Sequence, residues 1–289
     1  MEQINEQINE QINEQINEEI QEEILEQLFH KALHEPAYRP EFLAQLLAAN
    51  VYCVGTTGER DSRIAEDLIL DEGDSVQLKS WEDETYDCVI PFFTSLEKMR
   101  LAISEEDSYI RLPTKALFEM TIGARLVLNP QSPDATKDFV PEEIQHLLNG
   151  QYIQPSENYE VTEDTEVLIG QLAEYPQFMI DQLSIFFGTE RVVKAAYLAQ
   201  MLNEARDDSP TLLIGLDLEA GLSEQQIQDL HSKIGRITQD SLKEQCPVDL
   251  IHVNPHSVDG VEGYLLNETQ AFYQRVDGKP KGFFARLFS

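Results

Sequence analysis

The chain has 289 residues, of which 42% are hydrophobic, so it is long enough for two domains with ordinary cores. Its 53 acidic and 21 basic residues give a formal charge of −32 at pH 7. A protein this anionic is repelled by nucleic-acid phosphates and by anionic lipid surfaces. We therefore expect high solubility and no nucleic-acid partner.

The first 20 residues repeat the tetrapeptide Gln-Ile-Asn-Glu. A helix turns by about 100° per residue, so a four-residue repeat drifts by about 40° per copy and its isoleucines do not form the straight seam of a coiled coil. The glutamates at every fourth position also repel one another along the helix. We expect residues 1–20 to form a marginal, exposed helix that extends the first domain helix backward and frays toward Met1.

The spacing of apolar residues and turn signals predicts a first domain at residues 21–150 with alternating helices and strands. Its predicted elements, in chain order, are helices at 21–34 and 39–50, a strand at 51–55, a loop at 58–67, a hairpin at 68–81, a strand at 86–95, helices at 95–103 and 114–123, a strand at 125–130 and a helix at 141–148. Asn50 is expected to cap the second helix at its C-terminus. This alternation predicts helices packed on a mixed sheet.

Residues 151–164 are polar, contain Pro155 and show little periodicity, so they are predicted to be a linker. A second α+β domain is predicted at 165–276. Its elements, in chain order, are a strand at 166–173, a helix at 175–188, strands at 191–202 and 211–219, a helix at 223–244 and a strand at 248–255. Ser223 and Gln226 have the spacing of a capping box. The predicted fold class is thus α+β / α/β, with two mixed-sheet domains preceded by a helical low-complexity repeat.

The three cysteines are far apart and form no CxxC pair. Cys53 and Cys88 lie in apolar runs and are expected to be buried thiols, and Cys246 stands alone. The acidic start lacks the basic and apolar regions of a signal peptide, and no apolar run approaches the length of about 18 residues that suggests a membrane span. We expect a protein of the reducing bacterial cytoplasm.

Several blocks resemble the SseB family, which is named for an enhanced serine sensitivity phenotype. These blocks are LEQLFHKALHEPAYRPEFLAQLLAANVYCVG, VIPFFTSLEKM, LVLNPQSPDATKDFVPEEIQHLL, VLIGQLAEYP and KAAYLAQM. The resemblance covers about residues 21–276 and implies two α/β-type domains in a bacterial cytoplasmic protein. It implies no catalytic residues.

Thr94 and Ser95 stand where a predicted strand meets a predicted helix. They are candidates for a hydroxyl nucleophile or for an anion site at the helix N-terminus. A simple N-cap is favoured, because the segment has neither a glycine-rich loop nor a nucleophile elbow.

Potential metal ligands occur in three places, and a structural role is favoured for each. The acidic group has irregular spacing and lacks the glycine of a calcium loop. The first histidine pair has no evident third ligand, and a turn at Pro255 keeps the second pair off a common face. We therefore expect no metal, cofactor or catalytic residue. The three groups are Asn129, Asp134, Asp138, Glu142 and Glu143; His30 and His34; and His252 and His256.

The predicted tail at 277–289 differs from the rest of the chain, because residues 275–289 hold four basic residues and one acidic residue. Its candidate interaction residues are Phe283, Phe284, Arg286, Leu287 and Phe288. Three interpretations remain open: a short motif for a partner groove, a segment that enters the membrane interface, or a terminus docked on an acidic patch of its own body.

Three functions are therefore compatible with the sequence. The favoured hypothesis is a non-enzymatic interaction or regulatory protein linked to serine sensitivity, with an unidentified protein partner, because the sequence contains no recognisable nucleophile–base pair or metal constellation. The alternatives are an enzyme whose site is assembled between the two domains and a peripheral membrane adaptor that uses the C-terminal tail. The oligomeric state is left open.

Overall fold

The structure is a computed structural model that describes the backbone of residues 2–57, 76–82, 88–103, 107–150, 167–172, 174–203, 209–243 and 246–276. Side chains are described from Ile16 onward. The chain divides into two compact units, Met1–Gln154 and Pro155–Ser289.

The first unit combines helices with short strands. Its elements are α1 (Glu2–His34), a 3-10 helix (Pro36–Tyr38), α2 (Arg39–Ala48), β1 (Asn50–Thr57), β2 (Val76–Leu78), β3 (Ile90–Phe93), α3 (Leu96–Ala102), β4 (Tyr109–Pro113), α4 (Thr114–Met120), β5 (Leu126–Leu128), β6 (Lys137–Phe139) and α5 (Pro141–Leu148).

The sheet of this unit is mixed, as predicted. Its order is β2-β1-β3-β5-β6, and β4 also pairs with β1. Strands β3 and β5 are parallel, whereas the other pairs are antiparallel. The β1–β4 pairing places Tyr52 directly opposite Arg111. This cross-strand pair is central to the site described below.

Helix α1 is held on the first unit by its apolar face. Leu25, Leu28, Phe29 and Ala32 recur at helical spacing and are all buried. Phe29 stacks on Phe42 of α2, with ring centroids 4.7 Å apart. Burial of such a face supplies most of the stability of a helix in a protein.

The second unit has a similar mixture of elements. They are β7 (Leu168–Gly170), α6 (Gln177–Thr189), β8 (Val193–Leu202), β9 (Thr211–Leu218), α7 (Glu224–Ser241), β10 (Val248–His252), α8 (Gly260–Glu268) and β11 (Tyr273–Gln274).

The sheet of the second unit is also mixed. Its order is β10-β9-β8-β11, with β7 pairing to β8, and only β9 and β10 are parallel among the described pairs. The predicted capping box of α7 is confirmed, because Ser223 and Gln226 exchange side-chain and backbone hydrogen bonds. The chain therefore folds into two α+β units, each with a mixed sheet, as predicted.

The structure corrects two predictions. Cys88 is exposed, because it precedes β3 and the buried residue at this point is its neighbour Val89. Asn50 does not cap α2: it begins β1, and the C-cap is Ala49. Cys53 is buried as predicted, and burial raises the pKa of its thiol.

Five short elements were not predicted, namely the 3-10 helix, β4, β6, α8 and β11. The loop at 58–67, the first arm and the turn of the hairpin predicted at 68–81, and the linker at 151–164 lie outside the described residues. Among the described helices, none combines the length and the continuous apolar sequence that a membrane crossing requires.

Candidate interaction site

Three glutamates on α1, spaced one helical turn apart, form hydrogen bonds to residues of the sheet and of the segment that follows β3. Glu18, Glu22 and Glu26 continue the four-residue spacing of the repeat. Residues four apart lie on nearly the same side of a helix, so all three side chains point toward the sheet. We call them the glutamate column.

Glu18 and Glu22 bind the cross-strand pair Arg111 and Tyr52. The Arg111 guanidinium donates to Glu18 over 2.8 Å, and the Tyr52 hydroxyl donates to Glu22 over 2.8 Å. The guanidinium also lies 5.7 Å from the centroid of the Tyr52 ring, within the range of a cation–π interaction. The four side chains therefore form one connected cluster.

Burial shifts the proton affinity of this cluster. Desolvation raises the pKa of the Glu22 carboxyl, although the Tyr52 hydrogen bond and the Arg111 charge act in the opposite direction. Burial and the hydrogen bond to Glu22 raise the pKa of Tyr52. Tyr52 therefore keeps its proton at neutral pH and acts as a hydrogen-bond donor to the helix.

Glu26 accepts hydrogen bonds from both hydroxyls at the end of β3. The donor–acceptor distances are 3.0 Å from Thr94 and 2.6 Å from Ser95. Ser95 is also the N-cap of α3, because its hydroxyl oxygen accepts from the backbone N–H of Lys98. The favoured N-cap interpretation is thus confirmed for Ser95, while the anion near these hydroxyls is the chain's own carboxylate.

Asn129 fixes Thr94 from the opposite side. Its amide donates to the Thr94 hydroxyl over 2.9 Å, and its carbonyl oxygen accepts from the Thr94 backbone N–H over 2.9 Å. Asn129 is buried and has a left-handed backbone, with φ of 50°. Asparagine tolerates this conformation better than most residues. Glu26 therefore contacts a polar junction formed by Thr94, Ser95 and Asn129.

The face of α1 opposite the glutamate column is apolar and exposed. Ile16, Ile20 and Ile24 have 48%, 49% and 55% of their surface accessible. Because the isoleucine and glutamate positions differ by two residues, the two columns lie about 200° apart on the helix. We call these three side chains the isoleucine stripe.

The chain matches two domain families in sequence order. Residues 25–146 match the SseB protein N-terminal domain, and residues 161–275 match the SseB protein C-terminal domain. The chain belongs to the SseB family. It is 35% identical over 231 residues to Protein SseB of Escherichia coli (strain K12) and, to the same extent, to Protein SseB of Shigella flexneri. In each case the match covers 80% of this chain and 83% of the relative.

Both relatives are bacterial, which supports the expected bacterial source. No solved structure matches the chain. Within this SseB-family chain, Glu26 and its partners fall inside the matched N-terminal domain, whereas Glu18, Glu22 and the whole isoleucine stripe precede it. The outer part of the site therefore lies before the first residue that matches the SseB N-terminal domain.

Three of the acidic residues considered as metal ligands in the SseB N-terminal domain lie in separate ion pairs. Asp134 pairs with Lys98, Asp138 with Arg125, and Glu143 with Lys137, at distances of 2.9, 2.7 and 3.1 Å. Glu142 lies exposed in the first turn of α5, and Asn129 belongs to the junction described above. Within the described part of the chain, no group of three or more potential ligands converges to hold a metal ion.

The histidines are arranged differently from the predicted pairs. His30 and His34 are exposed on α1, with ring centroids 5.4 Å apart. His252 lies beside His231 of α7, and the two Nε2 atoms are 3.1 Å apart. The second pair was missed because the residues are 21 positions apart in different elements.

Desolvation, followed by the proximity of His252, lowers the pKa of His231 to about 4. Desolvation also lowers the pKa of His252. Both imidazoles are therefore neutral at pH 7.

The candidate interaction residues of the tail lie outside the described residues; they are Phe283, Phe284, Arg286, Leu287 and Phe288. Sequence reasoning also missed Tyr52, Arg111 and the glutamate column. The available signal was the continuation of the glutamate spacing past the repeat, together with the alternation of polar and apolar residues in β4.

Proposed function

We propose that this SseB-family chain is a non-enzymatic interaction protein of the bacterial cytoplasm, linked to serine sensitivity, and that it binds a protein partner through the isoleucine stripe of α1. The observation that carries the proposal is the opposition of two faces on one helix. The glutamate column is fixed to the sheet, so the isoleucines are held toward solvent.

The fixed orientation of α1 is what makes the stripe suitable for binding. A mobile helix would lose conformational entropy when a partner orders it, whereas a docked helix has already lost that entropy. Three side chains at intervals of four residues form a ridge, and such ridges pack into the grooves of another helix. An amphipathic partner helix is thus the fitting geometry.

The partner should have an apolar centre and a basic rim. Glu19 and Glu23 are exposed and border the stripe on one side. The whole chain carries a formal charge of −32, so a basic partner would be attracted over several ångströms before contact. A nucleic acid is not proposed, because it would bring further negative charge.

Site-specific photocrosslinking in the native bacterium tests the proposal. A photoreactive amino acid at position 20 should capture a protein, and the same residue at position 101 provides the control because Leu101 is 62% exposed on α3. The captured protein is then purified and its affinity for the chain is measured. Simultaneous Ile16→Ser, Ile20→Ser and Ile24→Ser substitution should weaken binding by about tenfold or more, since apolar anchors dominate such interfaces.

Two results would overturn this function. One is equal capture from positions 20 and 101; the other is an affinity for the purified partner that the triple substitution leaves unchanged. Leu101→Ser is the matched control and should leave the affinity within about twofold of the parent, because an isolated exposed leucine is ordinary surface.

A further inference from the structure

A second polar site lies in the other unit, independent of the interaction proposed for α1. His231 of α7 and His252 of β10 present the same ring atom to each other, with Nε2 atoms 3.1 Å apart and ring centroids 5.1 Å apart. In their neutral forms, a single ring proton can join the two nitrogens directly. The alternative is that both rings carry the proton on Nδ1 and offer two Nε2 lone pairs to one ion.

The separation of the two nitrogens suits a shared metal ion. Zinc–nitrogen bonds of about 2.0–2.1 Å place two imidazole nitrogens about 3.3–3.4 Å apart at the tetrahedral angle and about 2.8–3.0 Å apart at a right angle. The observed distance of 3.1 Å lies between these values. An ion could therefore be accommodated by small rotations of the two rings.

The backbone on both sides of the pair is well fixed. Helix α7 has 18 residues, a capping box and a buried face that includes Leu230 and Ile234. Strand β10 is paired in parallel with β9, and His252 lies opposite Leu216 in that register. A site built on regular elements holds its ligands more precisely than a site on loops.

We propose that His231 and His252 together bind one divalent transition-metal ion such as Zn²⁺, with water at the remaining coordination positions. Imidazole nitrogen is a preferred ligand for zinc, copper and nickel but not for magnesium or calcium. His231 is partly buried while His252 is exposed, so the ion has an open path from solvent. The open positions would also allow an additional donor from a bound molecule.

Isothermal titration of the full chain, without an affinity tag, with zinc chloride at pH 7 tests this site. We expect saturable binding of one zinc ion. His231→Gln and His252→Gln should each weaken it by about tenfold or more, and the double variant should lose little beyond either single variant, because both ligands serve one ion. His256→Gln is the matched control, since His256 is exposed in the same segment, and it should bind zinc like the parent.

A second measurement uses the unaltered chain. Diethylpyrocarbonate modifies neutral imidazoles, and the modified residues are identified by mass spectrometry. Zinc should protect His231 and His252 together while His256 remains reactive. A parent chain without saturable zinc binding, binding that survives both single substitutions, or unchanged labelling in the presence of zinc would overturn the proposal and leave a direct hydrogen bond as the role of the pair.

Discussion

The hydroxyl of Ser95 donates to the carboxylate of Glu26 over 2.6 Å, although 69 positions separate the two residues in the chain. Ser95 caps α3, so this contact joins the start of α3 to the C-terminal third of α1. Hydrogen bonds to a charged group are among the stronger polar interactions. This relationship ties the orientation of the first helix to the end of a central strand.

Substitution of Glu26 should therefore destabilise the first unit. Glu26→Ala leaves the buried Thr94 and Ser95 hydroxyls without this acceptor, and we expect the free energy of unfolding to fall by about 1–3 kcal/mol. Denaturant unfolding followed by tryptophan fluorescence measures the change. Trp81 is the single tryptophan of the chain and packs on Phe93, with ring centroids 6.3 Å apart, so it reports on this unit.

Glu19→Ala is the control for this measurement. Glu19 is exposed on the same helix, and its substitution should change the free energy of unfolding by no more than about 0.5 kcal/mol. If Glu26→Ala and Glu19→Ala unfold at the same denaturant concentration, the contact between Glu26 and Ser95 does not stabilise the unit.

Glu22 should contribute an unusual pH dependence. Burial raises its pKa above the ordinary value of 4.5, so the unfolded carboxyl loses its proton at a lower pH than the folded one. Between those two pKa values the folded state binds more protons, and the free energy of unfolding therefore falls as the pH rises through this interval.

Glu22→Gln removes this titration while keeping an acceptor for the Tyr52 hydroxyl. The fall in the free energy of unfolding from about pH 4.5 to pH 7 should accordingly be smaller in the variant than in the parent. Unfolding by denaturant at a series of pH values gives both curves, and their difference isolates Glu22 from the other carboxyls. Parallel curves would show that Glu22 titrates normally.

Asn129 combines a left-handed backbone with a buried amide, and two substitutions separate these contributions. Asn129→Gly keeps the left-handed conformation but removes both bonds to Thr94, with an expected loss of about 1–3 kcal/mol in the free energy of unfolding. Asn129→Ala removes the same bonds and adds a strained backbone, which costs about 1 kcal/mol more. Unfolding followed by Trp81 fluorescence should give a lower free energy of unfolding for the alanine variant than for the glycine variant. The reverse order would contradict a cost of the left-handed backbone at position 129.

The regular elements were predictable because their signals are local. The apolar spacing around Phe29 indicates helix α1, and Ser223 with Gln226 indicates the start of α7, since each signal acts within a few residues of its origin. The mixed sheets also followed from the alternation of strands with helices. Strand β4 was missed because its pattern of buried Ile110 and Leu112 spans only five residues.

The polar contacts of the site were not predictable from local signals. Glu26 meets Ser95, and His231 meets His252, only after the chain has folded, and a single sequence contains no record of such distant pairs. The four-residue spacing predicts repulsion among the repeat glutamates Glu6, Glu10, Glu14 and Glu18. It gives no sign that Glu22, one turn beyond Glu18, accepts a hydrogen bond from Tyr52 on the sheet.

The repeat itself should respond to acid. Helix α1 extends through it to Glu2, but asparagine at every fourth position is a poor helix former, and glutamates four residues apart repel one another. Circular dichroism of a peptide of residues 1–20 should show low helicity at neutral pH and a clear rise as the glutamates are protonated. A peptide with glutamine at Glu6, Glu10, Glu14 and Glu18 is the matched control, and its helicity should change much less with pH. Equal helicity of the natural peptide at neutral and acidic pH would mean that charge repulsion does not limit this helix.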